Sequence, residues 1–229
     1  MLQIPSMRKM TSIMIEPMII QNVIDKETIN TMARVTFNGS IKVVESLWDI
    51  EKAIFYLEKS SVIGIDTETR PSFKKGEAHL VSLLQLATDN ECYLIRLNKV
   101  GLTPSVVKLL ENPQILKIGL SLKDDFMMLQ KRASFKPEGY IELQEYVSTF
   151  GIEEKSLQKI FAILFGEKIS KGQRLSNWDA ELLSIAQQEY AAIDAWACLK
   201  IYHKLEELRQ SGDFVIKKLN KEEICTESI

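Results

Sequence analysis

The chain has 229 residues, of which 45% are hydrophobic and 26% are charged, and its formal net charge is −2. This length and composition predict one soluble α/β domain with enough chain to form a full hydrophobic core. The balance of charges argues against strong general binding to duplex nucleic acid, because such binding usually comes with a clear excess of Lys and Arg.

Residues 33–210 are predicted to form the domain. They follow a partly disordered N-terminal extension over residues 1–32 and precede a charged, frayed tail over residues 211–229. Within the domain, the segment Ala33–Val44 predicts one or two lead-in strands, and Leu47–Glu58 predicts an amphipathic helix. The apolar run Val62–Ile65 then predicts a buried central strand, because β-branched residues dominate it.

The triplet Asp66-Thr67-Glu68 stands at the end of this strand. Residues i and i+2 of a strand project to the same face, so Asp66 and Glu68 aim two carboxylates at one point. Two like charges side by side are costly to bury unless something positive neutralises them, and Mg²⁺ and Mn²⁺ prefer oxygen ligands. The triplet therefore predicts part of a divalent-metal site. The alternative is that the two acids are an ordinary solvated pair on the surface.

The segments after the triplet alternate between strand and helix patterns. Two apolar segments on either side of the turn Asp89-Asn90 predict a β-hairpin. Counted with the strands on either side, they predict a mixed five-stranded central sheet flanked by helices. The predicted elements are strands over 80–88, 92–97 and 116–119 and helices over 105–111 and 156–165.

A second acidic site follows the strand that ends at residue 119. Ser121 with Asp124 three residues later has the form of a helix N-cap, which gives Asp124 a structural role. Asp125 shares a helix face with the apolar residues of the segment and therefore points toward the sheet. Because an acid on a core-facing stripe needs a partner, Asp125 is assigned to the metal site. Two solvated carboxylates at the start of a helix are the alternative.

A basic loop precedes the last helix. Its Lys171 and Arg174 are candidate phosphate contacts, and Trp178 is a candidate aromatic contact with a base. A buried core position is the competing and commoner role of such a Trp. Lys74 and Lys75, in the loop after the triplet, are a second candidate phosphate contact.

The longest helical pattern runs from Ile185 to Arg209 without Gly or Pro. Ser184 with Gln187 has the form of a capping box that marks its start. Tyr190 and Asp194 lie one turn apart on one face, where small neighbouring residues allow a close approach to the sheet. A Tyr four residues before an Asp is usually an ordinary packing pair, but here it is the third member of a spaced set.

The three sites together resemble the DEDDy branch of the DnaQ-like 3′→5′ exonucleases, the group that includes ribonuclease D and Werner-type exonuclease domains. The resemblance covers about residues 35–210 and extends to Leu84-Gln85-Leu86 and Arg174–Trp178, which are similar to secondary motifs of the family. The five positions that carry it occur in the family's order: Asp66 and Glu68 in Asp-x-Glu, Asp125 at the opening of a helix, and Tyr190 and Asp194 in Tyr-x-x-x-Asp.

The resemblance implies a ribonuclease H-like fold and removal of mononucleotides from 3′ ends. Asp66, Glu68, Asp125 and Asp194 would bind two divalent ions, Mg²⁺ or Mn²⁺. Tyr190, neutral at pH 7, would orient the attacking water. Family members hold the terminal nucleotide by apolar side chains. The candidate substrate contacts are Leu80, Leu84, Gln85, Phe126, Lys171, Arg174 and Trp178.

Two other functions stay open on the sequence: an RNase H-like endonuclease, which Tyr190 argues against, and a catalytically inactive nucleic-acid-binding module on the same fold. We expect a nucleic-acid partner, either DNA or RNA, with no membrane and no obligate protein partner. Three widely spaced cysteines without a CxxC pair argue against a disulfide framework or a zinc site and fit a reducing cytoplasm.

Overall fold

The computed structural model describes residues 16–74 and 76–219. The strands in chain order are β1 (Met18–Gln21), β2 (Ala33–Arg34), β3 (Ser40–Val44), β4 (Val62–Thr69), β5 (Val81–Ala87), β6 (Glu91–Ile95), β7 (Leu116–Gly119), β8 (Tyr140–Glu142), β9 (Glu167–Lys168) and β10 (Phe214–Lys217). The helices are α1 (Lys26–Thr31), α2 (Leu47–Leu57), α3 (Leu97–Val100), α4 (Pro104–Glu111), α5 (Leu122–Leu129), α6 (Leu143–Tyr146), α7 (Leu157–Phe165) and α8 (Ile185–Ser211), with a 3-10 helix at Val147–Phe150.

Six strands form the central sheet, in the order β3-β6-β5-β4-β7-β8. β5 runs antiparallel to β4 and β6, and the other neighbouring pairs are parallel. The predicted mixed α/β architecture is confirmed. The sheet has one strand more than predicted, because β8 is only three residues long and too short to carry a periodic pattern.

Helices cover both faces of the sheet. The apolar sides of α2, α4 and α5 share one core cluster with Ile65 and Leu84. On the other face, α8 packs on the sheet together with Leu83 and Leu94. Successive residues of β4 and β5 therefore alternate between the α5 side and the α8 side, as strand geometry requires.

The helix α8 begins as the sequence predicts. Its N-cap is Ser184, whose hydroxyl accepts a hydrogen bond from the Gln187 amide, while the Gln187 side chain accepts one from the Ser184 amide. Where α8 crosses β4, a Cβ built on Gly64 would lie only 2.0 Å from the carbonyl oxygen of Ala195. Small residues on both elements thus permit a backbone contact that larger ones would prevent.

The folded part extends beyond both predicted domain boundaries. β1 pairs in parallel with β10, and β2 pairs with β9. Ile20 on β1 is completely buried, so this part of the predicted extension belongs to the folded unit. Residues 1–15 of the predicted extension, Lys75, and residues 220–229 of the predicted tail with Cys225 lie outside the described residues. In the described part of the chain, Cys92 and Cys198 are buried free thiols, and no helix is long and apolar enough to cross a membrane.

Candidate active site

Three acidic side chains meet at the end of β4. Asp66 and Glu68 come from the strand and Asp194 comes from α8, and one carboxylate oxygen of each lies within 4.8 Å of the other two. The strand alternation predicted from the triplet accounts for the first pair, since both acids project to the face that α8 covers. A register shift between Glu68 and Thr69 ends the regular pairing with β5 just beyond the acids.

Tyr190 and Asp194 lie one turn apart on α8, and both side chains face this cluster. Both side chains are buried, with 8% and 6% of their surface exposed. The ring of Tyr190 packs near the buried ring of Trp178, at 6.1 Å between centroids, which limits its freedom to move. The close backbone contact between Gly64 and Ala195 sets the distance of this helix from the strand.

Burial and mutual repulsion raise the pKa values of these acids. The pKa of Asp66 lies well above its usual value, first because of burial and then because of the charges of Asp194, Asp125 and Glu68. Burial and the charges of Asp194 and Asp125 raise the pKa of Glu68 to about 9, against the opposing effect of Arg174. Burial raises the pKa of Asp194 to about 7, and the Tyr190 hydroxyl partly offsets this.

This donor set fits hard divalent cations. Oxygen ligands at 2.0–2.6 Å from one ion are separated by up to about 5 Å, a limit that the carboxylates meet. The Oδ1 atom of Asp194 is buried and has no hydrogen-bond partner among the described residues. A cation would satisfy that oxygen and neutralise the repulsion that raises the pKa values.

The fourth carboxylate, Asp125, approaches from the opposite side of the sheet. Its Oδ1 accepts a hydrogen bond of 2.5 Å from the hydroxyl of Thr67, the middle residue of the triplet. Burial raises the pKa of Asp125 to about 6, and this hydrogen bond opposes the rise. Asp125 lies outside the group of three oxygens, yet it is close enough to raise the pKa values of Asp66 and Glu68. Thr67 is a site residue that the sequence reasoning missed, although its position between the two acids was a usable signal.

The helix α5, which carries Asp125, is not capped as predicted. Ser121 has a left-handed backbone conformation (φ 66°) and makes no side-chain cap, and Asp124 is exposed. The carboxylate of Glu142 accepts hydrogen bonds from the amides of Ser121 and Leu122, at 2.9 and 2.7 Å. The prediction that Ser121 and Asp124 cap this helix is therefore wrong, because a residue from β8 satisfies the amides instead.

The predicted substrate contacts separate into buried and accessible groups. Four of them are at most 3% exposed and present no surface to a substrate in this structure, which corrects their assignment: Leu84, Gln85, Phe126 and Trp178. Leu84 and Phe126 belong to the core on the α5 side, and Trp178 belongs to the core beneath Tyr190. Three others are exposed: Leu80, Lys171 and Arg174. Arg174 is close enough to Glu68 to lower its pKa, so this cation lies at the site.

Comparison with known proteins places these residues in a family context. A sequence profile described as 3'-5' exonuclease matches residues 41–209. The bifunctional 3'-5' exonuclease/ATP-dependent helicase WRN of Mus musculus is 32% identical over 173 residues, which make up 73% of this chain and 12% of the mouse protein. Ribonuclease D of Haemophilus influenzae is 29% identical over 152 residues, or 65% of this chain and 37% of that protein. The match therefore spans well under half of each of these relatives.

Solved structures of exonucleases have the same fold as this chain. The Nibbler EXO domain of Aedes aegypti superposes with a TM-score of 0.71 at 25% sequence identity, covering 79% of this chain and 94% of that one. The RNase D of Escherichia coli, described as an exoribonuclease involved in structured RNA processing, superposes with a TM-score of 0.67 at 20% identity. That similarity covers 76% of this chain and 46% of the RNase D chain, and it supports the fold alone.

Proposed function

This chain belongs to the 3′-5′ exonuclease family, and we propose that it hydrolyses phosphodiester bonds at nucleic-acid 3′ ends and releases nucleoside monophosphates with the help of two divalent ions, Mg²⁺ or Mn²⁺. The observation that carries the proposal is the convergence of Asp66, Glu68 and Asp194 within 4.8 Å. A family member that had lost catalysis would have no need to hold three repelling carboxylates together, one of them buried and two half-buried.

The acidic side chains are the groups that hold the ions. Asp66, Glu68 and Asp194 supply oxygens from one side of the sheet, and Asp125 supplies a carboxylate from the other. When bound, such ions lower the pKa of a coordinated water and neutralise charge on the scissile phosphate. The buried Oδ1 atom of Asp194, which has no hydrogen-bond partner among the described residues, is free to bind a cation.

Tyr190 acts on the attacking water as a hydrogen-bond donor. Burial and the neighbouring charges of Asp194 and Glu68 raise its pKa well above the ordinary value, so the phenol keeps its proton at neutral pH. A neutral hydroxyl can orient a water but cannot take a proton from it as a phenolate would. Its packing against Trp178 holds the hydroxyl in one place.

Arg174 supplies the local positive charge that the chain as a whole lacks. The formal net charge is −2, so phosphate binding must come from particular cations rather than from a general field. The Arg174 side chain is exposed and near Glu68, where it can contact the phosphate next to the scissile bond. Lys171 lies in the same loop and is exposed.

The test is digestion of 5′-labelled single-stranded DNA and RNA of one sequence in the presence of Mn²⁺. We expect a ladder of products shortened one nucleotide at a time, lost in Asp66→Asn and Asp194→Asn. Asp124→Asn is the matched control, because this exposed acid adjoins Asp125 but lies outside the site. The comparison of the two substrates reports the sugar preference, and internal cuts would favour an endonuclease. A protein that binds both nucleic acids and degrades neither would be an inactive binding module.

A further inference from the structure

Gln85 on β5 is a completely buried amide whose two polar atoms both lack a hydrogen-bond partner. Its side chain is 0% exposed, and neither Oε1 nor Nε2 is paired with any residue that the structure describes. An unpaired polar atom in a protein interior is unfavourable, because it has lost its hydrogen bonds to water. An apolar residue would fill this position without that penalty, so the amide calls for a chemical reason in its surroundings.

Gln85 lies directly opposite Asp66 in the central sheet. The two residues are Cα partners in the antiparallel pairing of β4 with β5. Opposite residues of such a pair project to the same face, with their Cβ atoms about 4.5–5.5 Å apart. Leu83 and Ala87, two residues away on either side, belong to the core cluster that α8 covers, which confirms the face. The amide and the Asp66 carboxylate therefore share the side of the sheet on which the three carboxylates converge.

The other neighbours of the amide in the sheet are apolar. On this face Gln85 adjoins Leu83 and Ala87 along β5, Asp66 across to β4 and Leu94 across to β6. Asp66 is thus the only polar side chain among these four adjacent positions. It is also an acceptor when ionised, and the NH₂ group of Gln85 offers two donors.

The indole of Trp178 matches the other end of the amide. Its Nε1 atom is also buried and has no partner in the described part of the chain, and its ring belongs to the same core cluster as Leu83 and Leu94. An indole N–H only donates and an ionised carboxylate only accepts, whereas an amide does both. The carbonyl oxygen of Gln85 is therefore complementary to Trp178, and its NH₂ group is complementary to Asp66.

We propose that Gln85 is a positioning residue, which donates a hydrogen bond from Nε2 to the Asp66 carboxylate when a divalent cation is bound and so orients that ligand. The inference rests on the proposed function, because that function assigns Asp66 to the ions. Partners of this kind orient metal ligands, and their loss typically weakens metal binding about 10- to 100-fold. The amide makes no hydrogen bond to Asp66 in this structure, so the contact depends on the orientation that the carboxylate takes up as a ligand.

The opposite face of the sheet has a comparable donor. There the hydroxyl of Thr67 donates to Asp125, the carboxylate that approaches from the α5 side. Thr67 reaches its acid from the triplet itself, whereas Gln85 reaches Asp66 from the neighbouring strand. Each face of the sheet would then provide one neutral donor that orients one acid.

Gln85→Met is the variant that tests the proposal. Met is unbranched and of similar length, but it has no N–H group. Removal of an unpaired buried amide should raise the melting temperature in EDTA by about 2–4 °C. If the amide orients Asp66, titration with MnCl₂ in a calorimeter should nevertheless show Mn²⁺ binding that is about 10- to 100-fold weaker. A more stable protein with weaker metal binding is a combination that a general loss of structure cannot produce.

Two further variants serve as controls. Leu94→Met places the same new side chain at the cross-strand neighbour of Gln85 and roughly conserves volume, so it should leave Mn²⁺ affinity as it is. Asp66→Asn identifies the part of the binding that belongs to the site. In turnover of a labelled single strand, Gln85→Met should shift the Mn²⁺ concentration for half-maximal rate upward by about 10- to 100-fold, with KM for the strand unchanged.

Unchanged Mn²⁺ affinity in Gln85→Met would overturn the role of Gln85, and so would equal weakening in Leu94→Met. Absence of Mn²⁺ binding by the wild-type chain would overturn it as well, because there would be no ligand to orient. If Gln85→Met binds Mn²⁺ like the wild type while the wild-type chain shortens the strand, the positioning role fails and the exonuclease stands. Weaker binding in Gln85→Met by a chain whose wild type degrades nothing would support the positioning role and refute the exonuclease.

Discussion

Replacement of Gly64 by Ala tests whether the contact between β4 and α8 sets the geometry of the active site. The added Cβ would lie 2.0 Å from the carbonyl oxygen of Ala195 and 2.9 Å from its carbonyl carbon. Because both are backbone atoms, no change of side-chain rotamer relieves the clash. To reach even 3.0 Å, a distance below which Cβ contacts essentially do not occur, the helix must retreat by about 1 Å.

The retreat moves the proposed catalytic groups of α8 with it, since Asp194 directly precedes Ala195 and Tyr190 lies one turn away. Displacement of reacting groups by about 1 Å can lower turnover by roughly 10²-fold. Overpacking of a core contact costs about 1–3 kcal/mol of stability. For a chain of this size, that cost lowers the melting temperature by about 2–12 °C. We therefore expect Gly64→Ala to lose most of its activity while it remains folded at room temperature.

Turnover of a labelled single strand with saturating Mn²⁺ and thermal melting in EDTA measure the two effects separately. Gly172→Ala is the matched control for melting, because the nearest atom to its added Cβ is Ser170 Oγ at 3.6 Å, an ordinary contact. We expect the stability of that control to change by less than about 0.5 kcal/mol. A Gly64→Ala protein with wild-type turnover and an unchanged melting temperature would refute the reasoning that this contact positions α8.

Three further predictions concern the residues around the carboxylates. Thr67→Val keeps the shape of the side chain but removes the donor to Asp125, so Mn²⁺ affinity measured by calorimetry should fall about 10- to 100-fold, whereas Thr67→Ser should retain it. Glu142→Gln weakens the cap of α5, and we expect chemical denaturation to give a loss of about 1–2 kcal/mol; an unchanged value would mean that the cap adds nothing. Because the pKa of Glu68 rises from 4.5 to about 9 on folding, the folded state favours the protonated acid. In EDTA, the contribution of Glu68 to the free energy of unfolding is therefore fully present below pH 4.5 and is lost as the pH rises to about 9. Glu68→Gln should remove this dependence and stabilise the metal-free protein at pH 7 by up to about 3 kcal/mol, while abolishing stabilisation by Mn²⁺; equal melting of both proteins across this pH range would contradict the burial argument.

The parts of the site that were predictable from sequence depend on local periodicity. The i, i+2 spacing of Asp66 and Glu68 and the i, i+4 spacing of Tyr190 and Asp194 each fix which side chains share a face before any tertiary contact is known. The capping box at Ser184 is equally local, because both of its hydrogen bonds join residues three apart.

The features that were not predictable depend on distant partners or on uniform burial. The cap of α5 comes from Glu142, which is 20 residues away along the chain from Leu122. The sequence of the helix alone therefore does not predict it. β1 and β10 are short strands from opposite ends of the chain, so their pairing leaves no local pattern. Every residue of β5 is buried, which removes the alternation that would have assigned Leu84 and Gln85 to the core rather than to the substrate.

The triplet Asp66-Thr67-Glu68 joins the two sides of the sheet into one site. Because side chains alternate along a strand, the two acids face α8 and Asp194, whereas Thr67 faces α5 and holds Asp125. A pair of ions at the end of β4 would then have carboxylates from both sides of the sheet, with the strand itself setting the separation. An apolar residue at the middle position would leave the half-buried Asp125 without this hydrogen bond. The middle residue of the triplet is therefore the side chain that orients Asp125 in this structure.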